Sequence, residues 1–362
     1  MSVDVVADLA SLVEVESPSG DRDAVARCAD AVTELARRTI GESPERLLVE
    51  GRTHLRWQFG QPRVVLLGHL DTVWPIGTLA RWPFQIDGDR VTGPGVFDMK
   101  AGLVQMFAAL EQLQRLDGIA IVINSDEEIG STSSQDLIED TCRGARAVLV
   151  LEPSADGALK IARKGVGMFT LHVTGRAAHA GLEPERGINA TVEAAHQILA
   201  IAGLARPDAE TTVTPSVMSA GTTVNTVPAD ATVAVDVRAI TAEEMHRVES
   251  ELQSLTPVLP GAEVKVVTHS VRLPLERSAS AELFERAGRL AQGLGFAELG
   301  GVAVGGGSDG NLTAAIGVPT LDGLGAVGGN AHAEGEWALL SAITQRAALV
   351  SALVEDLLED SA

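Results

Sequence analysis

Carboxylate and histidine side chains that could bind a metal ion follow apolar runs at several points of the chain. They stand in the segments Gly68-His69-Leu70-Asp71, Phe97-Asp98-Met99-Lys100, Ser125-Asp126-Glu127-Glu128, Leu151-Glu152-Pro153-Ser154 and Gly329-Asn330-Ala331-His332. Crowding such groups into one cleft costs free energy unless a cation holds them there. Oxygen and imidazole ligands, without a thiolate among them, suit zinc or a similar divalent ion. The pattern therefore indicates a metal site.

Ordinary structural roles would explain each cluster by itself, because strand-end turns, helix caps and solvated acidic pairs are common. A helix N-cap is the stronger explanation of Asp98 alone, and a solvated turn accounts equally well for Glu127 and Glu128. The clusters gain weight together, because several of them follow predicted strands of one sheet. Ligands bind beyond the carboxyl ends of the strands in open parallel sheets.

The first part of the chain alternates between strand and helix patterns. Residues 63–68, 118–124 and 147–151 are continuous apolar runs, as expected of central strands that are buried on both faces. Residues 100–116, which lie between the first two runs, have helical periodicity with one apolar face. This order predicts an α/β fold in which helices flank a mostly parallel sheet.

The pattern changes after Lys164, where strands with one wet face replace the fully apolar runs. Strands and helices are predicted there at residues 168–174, 189–204, 213–218, 231–238, 241–255 and 262–267. This β-α-β-β-α-β order suits a small α+β unit with an antiparallel sheet. We therefore predict that residues 1–163 and 274–362 form a metal-binding domain, into which residues 164–273 are inserted.

Charge and composition exclude several classes of partner. The 362-residue chain has a formal net charge of −21, whereas a nucleic-acid partner would require clustered Lys and Arg. Its apolar runs are too short to cross a bilayer. Residues 1–8 are acidic and have no basic start followed by an apolar stretch, and the two cysteines form no CxxC pair. A cytoplasmic protein with neither nucleic-acid nor membrane partners is predicted.

Five candidate ligand positions are too many for a single tetrahedral ion. They suit two ions, about 3.5–4 Å apart, that share one bridging carboxylate. Such a pair acidifies water and polarises a carbonyl, and a spare carboxylate from the Glu127-Glu128 doublet could carry the proton to a leaving nitrogen. Asp71 follows His69 by two residues, so it could hold the second imidazole nitrogen.

Three motifs together resemble one family, the two-zinc exopeptidases and deacylases. They are His69-Leu70-Asp71-Thr72-Val73, Gly93-Pro94-Gly95-Val96-Phe97-Asp98-Met99-Lys100-Ala101-Gly102 and Ser125-Asp126-Glu127-Glu128-Ile129-Gly130-Ser131. The family includes glutamate carboxypeptidase, acetylornithine deacetylase, succinyl-diaminopimelate desuccinylase and aminoacylase, and the resemblance covers nearly the whole chain. It implies a zinc-exopeptidase-like fold whose inserted domain is a lid that forms a homodimer.

The resemblance also implies a role for each cluster. One zinc would be bound by His69, Asp98 and Glu152, and the other by Asp98, Glu128 and His332. Glu127 would be the general base and acid, and Asp71 would orient His69. The segment around Glu152 looks like the glutamate carboxypeptidase branch. Cobalt or manganese are expected substitutes for zinc.

The inserted domain carries further matches to the family. His179 would donate to the substrate carbonyl, as suits a developing oxyanion, while Asn225 and Arg238 would hold the substrate carboxylate. Gly306 lies in a Gly-rich segment that would approach the substrate closely. Without the family, a polar turn for His179, a salt bridge for Arg238 and a flexible loop at Gly306 are the alternatives. The segment 162–165 departs from the carboxypeptidase branch and looks more like the deacylase branch.

The predicted reaction is hydrolysis of an amide whose leaving amine belongs to an amino acid with a free α-carboxylate. The substrate would be a small peptide or an N-acyl amino acid. A dipeptidase or an acetylornithine-type deacetylase is the alternative within enzymes. A non-catalytic metal-binding homologue is the alternative of a different class, against which Glu127 argues, because binding alone needs no spare base.

Overall fold

The computed structural model describes residues 3–359; residues 1, 2 and 360–362, at the ends of the predicted metal-binding domain, lie outside the described residues. The helices are α1 Val5–Val13, α2 Arg22–Thr39, α3 Thr78–Arg81, α4 Ala101–Glu111, α5 Gln135–Cys142, α6 Ala190–Ala202, α7 Ala242–Gln253, α8 Arg277–Gly293, α9 Gly310–Ala315 and α10 Leu340–Glu359. Among residues 3–359, none of these helices has the length and apolar character that crossing a bilayer requires.

The strands alternate with these helices along the chain. They are β1 Glu45–Val49, β2 Arg52–Gln58, β3 Val64–His69, β4 Gln85–Asp87, β5 Arg90–Thr92, β6 Ile119–Asn124, β7 Ala147–Val150, β8 Leu159–Arg163, β9 Gly165–Thr174, β10 Ala178–His179, β11 Thr212–Ala220, β12 Thr226–Val227, β13 Asp230–Ala239, β14 Glu263–Arg272, β15 Gly301–Val304, β16 Thr320–Leu321, β17 Gly328–Gly329 and β18 Trp337–Leu339.

The chain divides into two compact units. The first comprises the residues up to Ala162, Arg277–Val304 and the residues from Ser308 onward. The second comprises Arg163–Glu276 and Gly305–Gly307.

A six-stranded sheet in the order β1-β2-β6-β3-β7-β16 forms the centre of the first unit. Strand β3 pairs in parallel with β6 and β7, and β7 pairs in parallel with β16. The hairpin β1–β2 adds an antiparallel edge through β6. Its two turn residues, Glu50 and Gly51, both have positive φ, which a two-residue hairpin of matching twist requires. The predicted α/β class is confirmed.

Helices cover both faces of this sheet, because its central strands are apolar at every position. All residues of β3, β6 and β7 are buried. Alternate residues point to opposite faces: Leu66 and Ile121 pack into the core with α1, α2, α4, α8 and α10, whereas Val65 and Val122 pack against α5 and α9. A strand with one solvent-exposed face would have polar residues at every second position, and these three strands do not.

The second unit is built on an antiparallel sheet in the order β11-β13-β9-β14. Its strands alternate between buried and exposed positions, and the buried side chains of β9 and β13 pack with α6 and α7. Phe169, Leu171, Val233 and Val235 belong to this second core. The period of two is the sequence signal that separates this unit from the fully buried strands of the first.

Candidate metal centre and active site

Parallel pairing brings three of the acidic segments to one edge of the central sheet. His69 is the last residue of β3 and lies opposite Asn124, the last residue of β6, while Leu67 lies opposite Val150 at the end of β7. The residues that follow these strands therefore leave the sheet at the same edge. They carry the predicted site residues Asp71, Glu127, Glu128 and Glu152.

Asp98 lies between two imidazole rings and turns one carboxylate oxygen toward each. Its Oδ1 is 3.2 Å from Nε2 of His69, and its Oδ2 is 3.3 Å from Nε2 of His332. Each imidazole also faces a second carboxylate: Glu152 Oε1 is 3.4 Å from His69, and Glu128 Oε2 is 3.1 Å from His332. The geometry consists of two nitrogen–oxygen clusters that share the Asp98 carboxylate.

The turn that presents Asp98 precedes α4 and is not an ordinary helix cap. Residues Val96–Lys100 form a π-type turn in which the Asp98–Met99 peptide bond is cis. Lys100 takes the N-cap position of α4, so a capping role does not account for Asp98. Gly102 lets this helix start close to the segment of Glu152, because a Cβ on Gly102 would lie 2.3 Å from the carbonyl oxygen of Leu151.

Asp71 contacts His69 mainly through its main-chain carbonyl. Nδ1 of His69 is 2.9 Å from the carbonyl oxygen of Asp71 and 3.6 Å from its carboxylate Oδ1. Because a carbonyl only accepts, Nδ1 carries a proton, and Nε2 is the nitrogen that could bind a metal ion beside Asp98 and Glu152. The Asp71 carboxylate accepts hydrogen bonds from the backbone N–H groups of Glu127 and Glu128, each at 3.2 Å.

The adjacent residues Glu127 and Glu128 sit on a short 3₁₀ turn, Glu127–Ile129, and have different surroundings. Glu128 contacts His332 through Oε2, while its buried Oε1 has no hydrogen-bond partner within residues 3–359. The Glu127 carboxylate belongs to a group in which ligand atoms of His69, Glu127 and Glu152 all lie within 4.8 Å of one another. Residues His69, Asp98 and Glu128 form a second such group.

The residues of this cluster fit divalent cations. A buried carboxylate oxygen without a donor is costly, and a cation would satisfy Glu128 Oε1. Carboxylates are hard ligands and neutral imidazoles are borderline ligands. Zinc, cobalt and manganese accept both kinds. His69, Asp98, Glu128, Glu152 and His332 are the side chains that would hold the ions.

The charges of the cluster shift the pKa values of its members. Burial opposes a charge on His69, but contacts with Asp98 and Glu152 outweigh burial and raise the His69 pKa well above its usual value. Hydrogen bonds to Asp98 and Glu128 raise the pKa of His332 to about 10. Burial also opposes the Asp98 anion, yet hydrogen bonds from both histidines hold the Asp98 pKa below its usual range. The carboxylates thus favour the protonated form of both imidazoles. Metal ions that bind there would displace these protons.

Glu127 has a higher proton affinity than an exposed glutamate, and burial raises the pKa of the neighbouring Glu128 as well. Burial, with Glu152 and Asp309 nearby, raises the pKa of Glu127 well above that of an exposed glutamate. Asp309 is itself buried and accepts a 2.6 Å hydrogen bond from Asn124 and one from Ser131. A carboxylate of raised pKa holds a proton more readily than an ordinary glutamate does, which is a property of general bases and acids.

Three residues near the cluster were missed by sequence reasoning. Glu336 is fully buried and accepts hydrogen bonds from the segment that presents Asp98. Lys160 places Nζ 4.0 Å from Glu152 Oε2, and Ser19 donates a 2.7 Å hydrogen bond to Asp71. None of these three stands beside an apolar run in a cluster of acids, so only the folded chain brings them to the site.

The remaining predicted site residues belong to the second unit. His179 on β10 pairs with Thr226 on β12. The carbonyl of Asn225 accepts a 3.0 Å hydrogen bond from the backbone N–H of Ala180, the residue after His179. His179 and Asn225 therefore stand on neighbouring segments. The imidazole of His179 is exposed.

Arg238 and Gly306 have contacts of their own in the second unit. Arg238 grips the Asp236 carboxylate with Nε at 3.0 Å and Nη2 at 2.9 Å, which is the salt-bridge alternative named above. The carbonyl of Gly306 accepts a 3.2 Å hydrogen bond from Arg163, which is buried. The Arg238 guanidinium is thus already arranged as a fork around a carboxylate.

Comparisons with known proteins agree on one family. The sequence model of Peptidase family M20/M25/M40 matches residues 65–356. Carboxypeptidase G2 of Pseudomonas sp. (strain RS-16) is 30% identical over 375 residues, which cover 98% of this chain and 89% of that protein.

Solved structures agree on the fold. The aminopeptidase PepT from Bacillus cereus ATCC 10987 is similar with a TM-score of 0.77 at 23% identity, covering 98% of both chains. The M20 family metallo-carboxypeptidase Sso-CP2 from Sulfolobus solfataricus is similar with a TM-score of 0.72 at 16% identity, covering 97% of this chain and 98% of that one. The resemblance predicted from the three motifs is confirmed. The chain belongs to peptidase family M20/M25/M40 and is a metal-dependent hydrolase of that family.

Proposed function

We propose that this enzyme uses two zinc ions to hydrolyse the amide bond between an acyl or peptidyl group and an amino acid with a free α-carboxylate. The observation that carries the proposal is the Asp98 carboxylate, whose two oxygens face His69 and His332 at 3.2 and 3.3 Å. The similarity to carboxypeptidase G2 along 98% of the chain supports the substrate class.

The metal ligands divide into two sets in this proposal. His69, Asp98 and Glu152 hold one ion, and Asp98, Glu128 and His332 hold the other. Two divalent ions at such a site acidify water and polarise an amide carbonyl. The chain contributes the orientation of His69, whose Nδ1 faces the Asp71 carbonyl, and several carboxylates that attract cations and repel anions.

Glu127 is the proposed general base and acid. Its half-buried carboxylate would accept a proton from water and then deliver that proton to the leaving nitrogen. Burial raises the pKa of Glu127, which favours its holding the proton between the two steps. Asp71 holds the backbone N–H groups of Glu127 and Glu128, so it keeps base and ligand in a fixed relation.

Substrate recognition is assigned to the second unit. Arg238 would exchange the Asp236 carboxylate for the α-carboxylate of the substrate, because its planar fork fits either one bidentately. Asn225 would assist this anchor. His179 would donate to the amide oxygen as negative charge develops there. Gly306 would allow close approach, because it has no side chain and the space beside its Cα is open among the described residues.

The second unit is also the proposed lid and homodimer interface. Strand β11 ends the order of its sheet, and exposed apolar side chains lie on and beside it. Leu199 of α6 is 75% exposed and Val217 of β11 is 67% exposed. An edge strand with apolar neighbours is a surface on which a second copy could continue the sheet.

A cytoplasmic location is part of the proposal as well. Cys28 and Cys142 are both buried and unpaired by disulfides in the described chain, as is typical of a reducing compartment.

A matched substrate screen tests the proposed reaction. Purified full-length chain is loaded with zinc, cobalt or manganese and given N-acyl amino acids, peptides ending in Glu or Asp, dipeptides, and the α-carboxamide counterpart of each. The proposal expects hydrolysis of substrates with the free α-carboxylate and loss of activity on the carboxamides. Preference for unblocked dipeptides would favour the dipeptidase alternative, and metal binding without any hydrolysis would favour the non-catalytic one.

A further inference from the structure

Glu336 is a buried carboxylate with four hydrogen-bond donors directed at it. Oε1 accepts from the backbone N–H groups of Phe97 at 2.7 Å and Asp98 at 2.9 Å. Oε2 accepts from the backbone N–H of Gly95 at 3.0 Å and from the indole N–H of Trp74 at 2.8 Å. The side chain is fully buried.

These four bonds connect three separate segments of the metal site. The Gly95, Phe97 and Asp98 N–H groups belong to the turn that presents the shared carboxylate. Trp74 follows His69 by five residues, and Glu336 itself follows His332 by four. The Glu336 carboxylate therefore links the chain segments that carry three predicted ligands, His69, Asp98 and His332.

We propose that Glu336 is a positioning residue for the metal centre: it holds the Asp98 turn and the segments of His69 and His332 in the arrangement that binds two ions. The inference rests on the proposed two-metal function. Residues behind a metal ligand change affinity by about 10- to 100-fold when they are replaced, because the ligand loses its orientation.

The Glu336→Gln variant changes this arrangement with little change in volume. A glutamine amide presents one oxygen and one NH₂ group, so two of the four donors would face another donor. Buried donors that lose their acceptor are costly, and the turn would move to find new partners. The Asp98 carboxylate would move with it.

A second buried carboxylate offers a matched control. Glu193 of the second unit accepts hydrogen bonds from the backbone N–H groups of Val258 and Leu259 and from Gln197. It is fully buried and belongs to the unit that carries none of the predicted metal ligands. Glu193→Gln should therefore weaken folding in a similar way and leave metal binding unchanged.

The test measures Zn²⁺ binding to the metal-free full-length chain, by competition with a chromophoric chelator, at a temperature where all variants are folded by circular dichroism. Amide hydrogen exchange of the metal-free chain at residues 95–98 is measured in parallel. We expect Glu336→Gln to lose about 10- to 100-fold in Zn²⁺ affinity and to exchange faster at these amides. Glu193→Gln should match the wild type in both measurements. Zn²⁺ affinity and exchange at wild-type values in Glu336→Gln would overturn the inference.

Trp74→Phe keeps the test decisive if Glu336→Gln does not fold. It removes only the indole donor and retains a ring beside Trp82, whose ring centroid lies 5.1 Å away. A smaller loss of Zn²⁺ affinity with faster exchange at residues 95–98 supports the inference, and wild-type values overturn it. If the wild-type chain binds a single ion, the two-metal function fails, whereas exchange in the metal-free chain still tests whether Glu336 holds the turn.

Discussion

Replacing Glu127 by glutamine should lower turnover by orders of magnitude and leave metal binding intact. The variant keeps the shape of the side chain and removes its ability to take a proton. General acid–base catalysis contributes about 10²- to 10⁴-fold. This range corresponds to about 3–5 kcal/mol of transition-state stabilisation.

The neighbouring residue provides the control. Glu128→Gln makes the same chemical change one position later, at a carboxylate that contacts His332 at 3.1 Å and has a buried oxygen without a donor in the described chain. This variant should bind one of the two ions more weakly, and excess zinc should restore part of its activity. The activity of Glu127→Gln should rise neither with excess zinc nor with a longer incubation in zinc.

The assay combines kcat with zinc content by inductively coupled plasma mass spectrometry. Glu127 also lies within 4.8 Å of ligand atoms of His69 and Glu152, so a ligand role is the specific competitor of the base role. If Glu127→Gln contained less zinc than the wild type and regained turnover at high zinc concentration, Glu127 would be a ligand and the reasoning would be refuted.

Three further predictions concern the second unit. Arg238→Met should raise KM for substrates with a free α-carboxylate by at least tenfold and have little effect on their carboxamide analogues; an equal loss on both would contradict the anchor role. The hydrogen bond from Arg247, together with other donors, lowers the pKa of Glu244 to about 2. The Glu244 carboxylate therefore stabilises the fold at pH values above its pKa in the unfolded chain, near 4.5. This contribution is lost as the pH falls toward 2. Glu244→Gln should therefore cost about 1 kcal/mol at pH 6 and much less at pH 3, measured by calorimetry, and an equal cost at both values would contradict this. The double variant Leu199→Glu/Val217→Glu should be monomeric in sedimentation equilibrium while the wild type is dimeric, and two species of identical mass would contradict the proposed interface.

The sequence predicts the core of the first unit because burial on two faces leaves a plain signal. Strands β3, β6 and β7 are apolar at every position, and the charged residues that follow them must leave the sheet at one edge. His69 and Glu152 could be found in this way. His332 lies outside this pattern, in a loop between the two- and three-residue strands β17 and β18, and only the family resemblance singles it out.

Other features of the site depend on main-chain groups, which the sequence does not reveal. Glu336 acts on backbone N–H groups more than 230 residues away, at Gly95, Phe97 and Asp98. Asp71 reaches His69 through a carbonyl that any residue would supply.

The Asp236–Arg238 pair was accessible to sequence reasoning. Residues two apart on a strand share a face, so the fork that Arg238 makes with Asp236 follows from the period of β13.

The number of zinc ions per chain at saturation tests the central claim most directly. It is measured on the full-length protein by equilibrium dialysis and inductively coupled plasma mass spectrometry, for the wild type and for Asp98→Asn. Shared coordination by Asp98 predicts about two ions per wild-type chain and weaker binding of both ions in Asp98→Asn. A single ion at saturation, or an Asp98→Asn variant that binds both ions as tightly as the wild type, would contradict the account.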